Sequence, residues 1–152
     1  MPKHLLLFVC FFLSGATGLV YQVVWLRILG LIFGHTVYAI TAVLAAFMAG
    51  LALGSFLFAR RASRIRDLIG AYGWLEIGIG AYCALLPLLF RLVSSLYPGL
   101  HVLLGSSYDA FSLMQFIIVF LLLLLPTTLM GGTLPVLSQA LVRSEAGLGR
   151  MV

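Results

Sequence analysis

Four apolar stretches, each 22 or 23 residues long, occupy most of this 152-residue chain: residues 5–26, 37–58, 68–90 and 113–135. A helix rises about 1.5 Å per residue, so each stretch is long enough to cross the ~30 Å hydrocarbon core of a bilayer. With 63% hydrophobic and 9% charged residues, the chain has too few polar side chains to cover a soluble surface. The sequence therefore predicts a polytopic membrane protein.

The same stretches indicate helices rather than strands. A membrane β-barrel strand would need alternating apolar and polar positions over about 10 residues, whereas these segments are apolar on every face. We therefore predict an all-α fold, an antiparallel bundle of about four transmembrane helices. No linker rich in serine and proline and no charged block divides the sequence. Residues 1–152 are expected to form one helical membrane domain, without a soluble catalytic domain.

The basic residues predict how the bundle is oriented. If the spans alternate in direction, Arg27 and Arg91 lie on one side of the membrane. The remaining basic residues lie on the other side: Lys3, Arg60, Arg61, Arg64, Arg66, Arg143 and Arg150. The positive-inside rule then predicts a multi-pass protein of a bacterial-type inner membrane with both termini in the cytoplasm. The formal charge of +5 reflects this topology, and no basic patch with interleaved aromatic residues predicts nucleic-acid binding.

Two segments need separate interpretation. Lys3 precedes an apolar run and residues 14–16 are small, which is also typical of a signal peptide, but the apolar run continues to Trp25. We predict an uncleaved first helix. Residues 92–112 contain proline, glycine and serine, and they predict an outer loop with one short interfacial helix.

Small residues recur at helical spacing in two spans. Helices in lipid associate through close backbone approach, so such stripes predict helix contacts. The second span has a small residue every four positions: Ala42, Ala46, Gly50 and Gly54. The third span has a small seam that includes Gly73 and Gly80, and beside it a bulky stripe: Leu75, Ile79, Tyr82, Leu86 and Leu89. We expect both small seams to face other helices.

Glu76 is the one acidic residue inside a predicted span. A charge at the centre of a membrane helix costs about 2.5–3.5 kcal/mol on insertion scales, so this carboxyl group should be protonated, hydrated or partnered. Its estimated depth matches that of Ser14, Thr127 and Thr128, and we expect it to contact one of these hydroxyls. Two interpretations stay open. A hydrogen-bonded staple is favoured because a second carboxylate is missing, and a cation or proton site is the alternative.

The fourth span carries Pro126 and Pro135 on either side of the glycine pair Gly131 and Gly132. Proline removes a backbone donor, and nearby hydroxyl groups can satisfy the freed carbonyls. We predict a broken or kinked helix at this point. A kink that serves packing is the commoner outcome, and a substrate site at the break is the alternative, although the sequence has no second interrupted helix to pair with it.

Residues for catalysis or for metal binding are not apparent. His4, His35 and His101 are dispersed, without the close spacing of a zinc site. The sequence contains no phosphate-binding glycine motif, no nucleophile elbow and no Cys-x-x-Cys. We predict no catalytic, metal-binding or cofactor-binding residue in this chain, and the lipid bilayer is its first expected partner.

Four segments carry a family resemblance: residues 18–27, 33–36, 45–54 and 126–135. Together they resemble the N-terminal transmembrane half of the membrane-bound spermidine synthase-like family, over residues 6–152. The resemblance implies membrane helices that precede a soluble Rossmann-type domain. That domain resembles polyamine synthases, which transfer an aminopropyl group from decarboxylated S-adenosylmethionine to putrescine. Residues 1–152 do not include such a domain, so no catalytic residue can be carried over.

Two functions are consistent with these features. The first is a non-catalytic membrane module that packs against other membrane subunits, as a homo-oligomer, in a larger assembly or with a separate polyamine synthase-like chain. The second is a small transporter or channel-like unit for a cationic metabolite such as a polyamine. Four helices leave little room for both a sealed bundle and a pathway, which favours the first function.

Overall fold

The computed structural model describes residues 3–33, 36–104 and 108–148, and these residues form four helices. The helices are α1 (Lys3–Phe33), α2 (Thr36–Ala62), α3 (Leu68–Leu104) and α4 (Tyr108–Leu148). Each contains a segment that is long and apolar enough to cross a membrane: Phe8–Leu31, Ile40–Ala62, Leu68–Ser95 and Phe111–Arg143. The predicted all-α fold is confirmed, with four helices that are each long and apolar enough to span a membrane.

α3 is longer than the sequence predicts. It continues to Leu104, and α4 begins at Tyr108, so the predicted outer loop over residues 92–112 is wrong for residues 92–104 and 108–112. Residues 105–107 lie outside the described part of the chain. The Ser94 and Ser95 hydroxyls donate to the carbonyls of Arg91 and Leu92, both at 2.8 Å. These polar side chains are satisfied inside the helix, so their presence does not end it.

The small-residue stripe of α2 lies against α4. Ala42 and Ala46 have no exposed surface. A Cβ added at Gly50 would overlap the Thr127 side chain, and one added at Gly54 would overlap the backbone of α4. α4 therefore covers the stripe within this chain, and these four residues are not accessible to another subunit.

The glycine pair of α4 forms the other half of this interface. A Cβ at Gly131 would overlap the backbone of Leu51, and one at Gly132 would overlap the ring of Phe58. Because neither glycine has a side chain, the two helix backbones approach closely over this stretch. The Pro126–Pro135 segment thus serves the packing of α4 on α2.

α4 continues as one helix through Pro126 and Pro135, so of the predicted break or kink the break is absent. Pro126 has no N–H to donate to the carbonyl of Leu122, four residues earlier. The hydroxyl of Tyr82 in α3 donates to that carbonyl oxygen at 3.0 Å. A side chain from the neighbouring helix thereby replaces the missing backbone donor.

The second proline is compensated in the same way. Pro135 cannot donate to the carbonyl of Gly131. The hydroxyl of Ser55 in α2 donates to that oxygen at 3.0 Å. Helix continuity at both prolines therefore depends on side chains of the two neighbouring helices.

α3 differs from the sequence prediction in the face that it buries. The bulky residues Leu75, Ile79 and Leu86 are at most 8% exposed and belong to the core that α3 forms with α4. A Cβ at Gly73 or Gly80 would meet nothing within 4 Å, so these two glycines do not make the predicted close helix contact. The small residues of α4 pack against α2. The remaining surface of α4 therefore contacts the larger side chains of α3, which gain dispersion energy there.

α1 is the most loosely packed helix. Only 11% of its membrane segment is buried, compared with 28% for α2. Within the described residues, its buried core side chains are Trp25 and Leu29, which are 2% and 1% exposed. α1 packs mainly on α2 and touches α3 and α4 at few points. A groove consequently remains between α1 and α3.

The short connection between α2 and α3 is fixed to α4. The Arg143 guanidinium donates to the carbonyl of Ile65 at 2.6 Å and to that of Ser63 at 2.5 Å. Asp67 accepts a hydrogen bond from the Gly70 N–H at 2.9 Å and caps the N-terminus of α3. The N-terminal turn of α3, which precedes the groove, is therefore held in place.

Candidate functional site: the groove between α1 and α3

The groove between α1 and α3 has a volume of about 490 Å³ and is partly open along its length. Met130 of α4 also contributes to its lining. Its other lining residues come from α1 and α3: Cys10, Leu13, Ser14, Thr17, Gly18, Tyr21, Tyr72, Gly73, Glu76, Ile79 and Gly80. A mostly apolar cavity of this size with a few polar groups is typical of a binding site.

Two polar atoms of α3 are buried in this groove without a hydrogen-bond partner. They are the hydroxyl of Tyr72, a residue that is only 6% exposed, and Oε1 of Glu76. The Tyr72 hydroxyl faces the Glu76 carboxyl group and the Ser14 hydroxyl. Burial of an unsatisfied polar group costs about 1–3 kcal/mol, and more for a charged group. This pair therefore retains a capacity for hydrogen bonding that the chain does not use.

Helix geometry explains why Tyr72 and Glu76 face α1. The two residues are four apart and lie one above the other on the same face of α3. Leu75 and Ile79 lie on the neighbouring face and are buried in the core. Core packing of these apolar residues thus fixes the rotation of α3 and directs the polar pair into the groove.

The α1 side of the groove is formed by small and aromatic residues. The Thr17 hydroxyl donates to the carbonyl of Leu13 at 2.8 Å, within its own helix. Gly18 is buried, with Met130 as the nearest neighbour of a Cβ placed there, at 3.7 Å. The ring of Tyr21 stacks on Trp25 with a centroid distance of 5.9 Å. Of the α1 residues, Ser14 offers the hydroxyl that faces Tyr72.

The predicted polar cluster is only partly assembled. Ser14 and Glu76 line the same groove, as their estimated depths indicate. The Thr127 hydroxyl instead lies between the carbonyls of Leu123, at 2.7 Å, and Ala46, at 3.2 Å. The Thr128 hydroxyl likewise donates within α4. Both threonines therefore serve the α4 backbone and its packing on α2, and they are not partners of Glu76.

Sequence reasoning missed Tyr72 as a site residue. An aromatic residue near the end of a span is typical of the membrane interface, whereas the structure buries Tyr72. The sequence nevertheless contained the relevant spacing. Tyr72 lies four residues before Glu76, so the two side chains share one face of the helix. Met130 was missed as well, since nothing in an apolar run distinguishes a methionine that borders a groove from one that faces lipid.

A smaller groove of about 260 Å³ lies on another side of α1, against α2 and α4. Ser14, Gly18 and Met130 border both grooves. The polar group of α2 that borders this second groove is Ser55, whose hydroxyl already donates to Gly131. It therefore has less unused hydrogen-bonding capacity than the first groove.

The chemistry of the α1–α3 groove is that of a single acid beside hydroxyl groups. Within residues 3–33, 36–104 and 108–148, no group of three or more His, Cys, Asp or Glu side chains could hold a metal ion. The carboxyl group of Glu76 can accept hydrogen bonds or neutralise one positive charge. A hydrogen-bond donor or a cationic group is thus the chemistry that this groove can receive.

Comparison with models of known protein families, with curated proteins and with solved structures gives no match.

Proposed function

We propose that this chain is a non-catalytic integral membrane module that packs against another membrane protein through the α1–α3 groove. The observation that carries the proposal is the open groove with buried, unpartnered polar atoms at Tyr72 and Glu76. The α2 stripe is already covered by α4, so the groove is the better candidate for an external contact. The resemblance to the transmembrane half of spermidine synthase-like proteins agrees with a module of this kind.

The proposal includes an orientation in a bacterial-type inner membrane. The α2–α3 connection and the adjacent end of α2 carry Arg60, Arg61, Arg64 and Arg66, and both termini are proposed to share their cytoplasmic side. Contacts between α3 and α4 support helices that alternate in direction. Tyr82 donates a hydrogen bond to Leu122, while a Cβ added at Gly78, earlier in α3, would lie 3.6 Å from Leu129, later in α4.

Site-specific photocrosslinking in membrane vesicles tests the module function. A benzophenone side chain is introduced at Leu13 of α1, which lines the groove and is 58% exposed. The matched control position is Leu121 of α4, which is 60% exposed and lies outside the groove lining. We expect a discrete protein adduct from Leu13 and only lipid adducts from Leu121. Lipid adducts alone at both positions would contradict the proposal.

A second candidate function is passage of a cationic metabolite such as a polyamine. The specific observation in its favour is the same Glu76 carboxyl group, because intramembrane acids often line ion pathways. Uptake of a labelled polyamine into proteoliposomes tests it, with Glu76→Gln as the variant that removes the charge. Uptake by the wild-type chain that the variant loses would favour transport over the module function.

A further inference from the structure

The chemistry of the α1–α3 groove also defines what kind of partner it fits. Resting on the proposed function, we infer that the groove receives a transmembrane helix whose single lysine or arginine side chain reaches Glu76. Three features of the groove carry this inference: the two glycines on its α3 rim, its size, and its single acidic residue, Glu76, whose Oε1 has no hydrogen-bond partner.

The rim of the groove is built for close approach of a helix backbone. Gly73 and Gly80 lie seven residues apart on α3, about 10.5 Å along the helix axis. Neither has an atom within 4 Å of an added Cβ. A small molecule at Glu76 would not need exposed backbone over two helical turns, whereas a helix that packs on the rim does.

The size of the groove indicates which part of a helix enters it. At a diameter of about 10 Å, roughly one turn of helix would fill the volume of about 490 Å³. A partner helix therefore lies over the groove and inserts the side chains of one or two turns. One long basic side chain with apolar neighbours matches the lining, in which most residues are apolar.

The charge of the groove indicates one cationic group. Glu76 is the one acidic residue in the lining, and its Oε1 is buried without a partner. A free polycation would leave its remaining charges uncompensated at this depth, which is costly in hydrocarbon. A helix satisfies its own backbone and can bring a single charge, and intramembrane acids and bases commonly pair with one another.

The depth of the contact can be specified. Glu76 lies eight residues after Leu68, the first residue of α3, or about 12 Å along the axis. The Tyr72 hydroxyl is one turn nearer to the helix start and can accept a second hydrogen bond from the same basic group. The partner residue should therefore lie about 12 Å from the same end of the bundle.

Synthetic transmembrane peptides in phosphatidylcholine vesicles test this inference. One peptide is a Leu/Ala helix with a single lysine at the depth of Glu76, and its matched control has leucine at that position. Binding to the reconstituted chain is measured by resonance energy transfer. We expect the wild-type chain to bind the lysine peptide at least tenfold more tightly than the leucine peptide, and Glu76→Gln to abolish this preference.

A second pair of variants tests the rim independently of the charge. Gly80→Leu should weaken binding of both peptides, whereas Gly30→Leu, at an open glycine of α1 outside the groove lining, should not. Equal binding of the two peptides would overturn the charge pairing. If Gly80→Leu still weakened peptide binding in that case, the module function would stand. Binding of n-butylammonium that requires Glu76, without peptide binding, would identify a small-molecule site and overturn the inference. If neither peptide bound, the inference would also be overturned. The photocrosslinking experiment tests the module function separately.

Discussion

The hydroxyl of Tyr82 donates to the carbonyl oxygen of Leu122, which is the carbonyl that Pro126 leaves without an intrahelical donor. One hydrogen bond thus joins α3 to α4 and also completes the backbone of α4. In hydrocarbon, where water cannot replace a lost donor, such a bond has two structural roles. Removal of this hydrogen bond should therefore weaken both the contact of α3 with α4 and the α4 helix itself.

Tyr82→Phe should lower the free energy of unfolding by about 0.6–1 kcal/mol, because the Leu122 carbonyl loses its donor. In a Pro126→Ala background the backbone N–H returns, so the same change should cost less. Tyr72→Phe is the matched control, since the Tyr72 hydroxyl donates to no backbone carbonyl. Unfolding in mixed detergent micelles, followed by circular dichroism, measures all of these variants. Equal costs for Tyr82→Phe in both backgrounds would refute the compensation.

Gly50→Leu should destabilise the chain by more than the ~1 kcal/mol of an ordinary substitution, because the new side chain must displace Thr127 from the α2–α4 interface. Gly30→Leu introduces the same side chain where nothing lies within 4 Å and should change stability little. Thermal unfolding in detergent compares the two variants. A similar melting temperature for both would show that α2 and α4 are not closely packed at Gly50.

Glu76→Gln and Glu76→Leu should both leave the fold intact, because Glu76 Oε1 forms no hydrogen bond that the substitution would break. Leucine should be tolerated as well as glutamine or better, since it removes a buried unsatisfied polar atom. Detergent unfolding of the isolated chain is the measurement. If leucine unfolded the chain while glutamine did not, the hydrogen-bonded staple that the sequence favours would be supported instead.

Arg143→Ala should loosen the connection between α2 and α3, because the carbonyls of Ser63 and Ile65 lose their guanidinium donor. The cost in global stability should be small, roughly 1 kcal/mol or less, because the contact is exposed to solvent. Limited trypsin digestion at Arg64 and Arg66 should accelerate in the variant. Arg143→Lys, which keeps the charge but not the two-pronged geometry, should give an intermediate rate. Identical digestion of all three proteins would contradict this role.

Ser63→Cys in a background without native cysteines should react with a membrane-impermeant maleimide only from the cytoplasmic side, because the arginine-rich connection is expected inside. Ser106→Cys serves as the counterpart and should react only from outside. Labelling is compared in intact spheroplasts and in inverted vesicles. Reaction of Ser63→Cys from outside would reverse the proposed orientation.

Apolar length determines the number and type of the elements, so the four helices could be predicted from the sequence alone. The boundary at Leu104 could not, because Ser94 and Ser95 bond inside the helix while their residue type is typical of loops. The rotation of α3 was also unpredictable from its own residues. The small residues of α4 pack against those of α2, so they are not available to α3. The residues of α3 alone do not show which helix takes that surface.

The candidate site was predictable only in part, for a similar reason. The cost of an acid in hydrocarbon singles out Glu76, and its depth indicates Ser14 as a neighbour. The depth of a residue in the membrane does not determine which face of its helix the residue lies on. Thr127 therefore matched in depth yet faces Ala46, and Tyr72 was the neighbour that shares the face of Glu76.

The tight pairing of α2 with α4 constrains the biogenesis of the chain. Ala46 and Thr127 meet although they lie 81 positions apart in the sequence. At a translation rate of about 5–20 residues per second, α4 emerges roughly 4–16 seconds after α2. During that interval the α2 stripe has no native neighbour, and the N-terminal helices reach the bilayer before the helix that completes them. A newly made chain therefore depends, for several seconds, on the insertion machinery or on lipid to shield a surface that the finished protein never exposes.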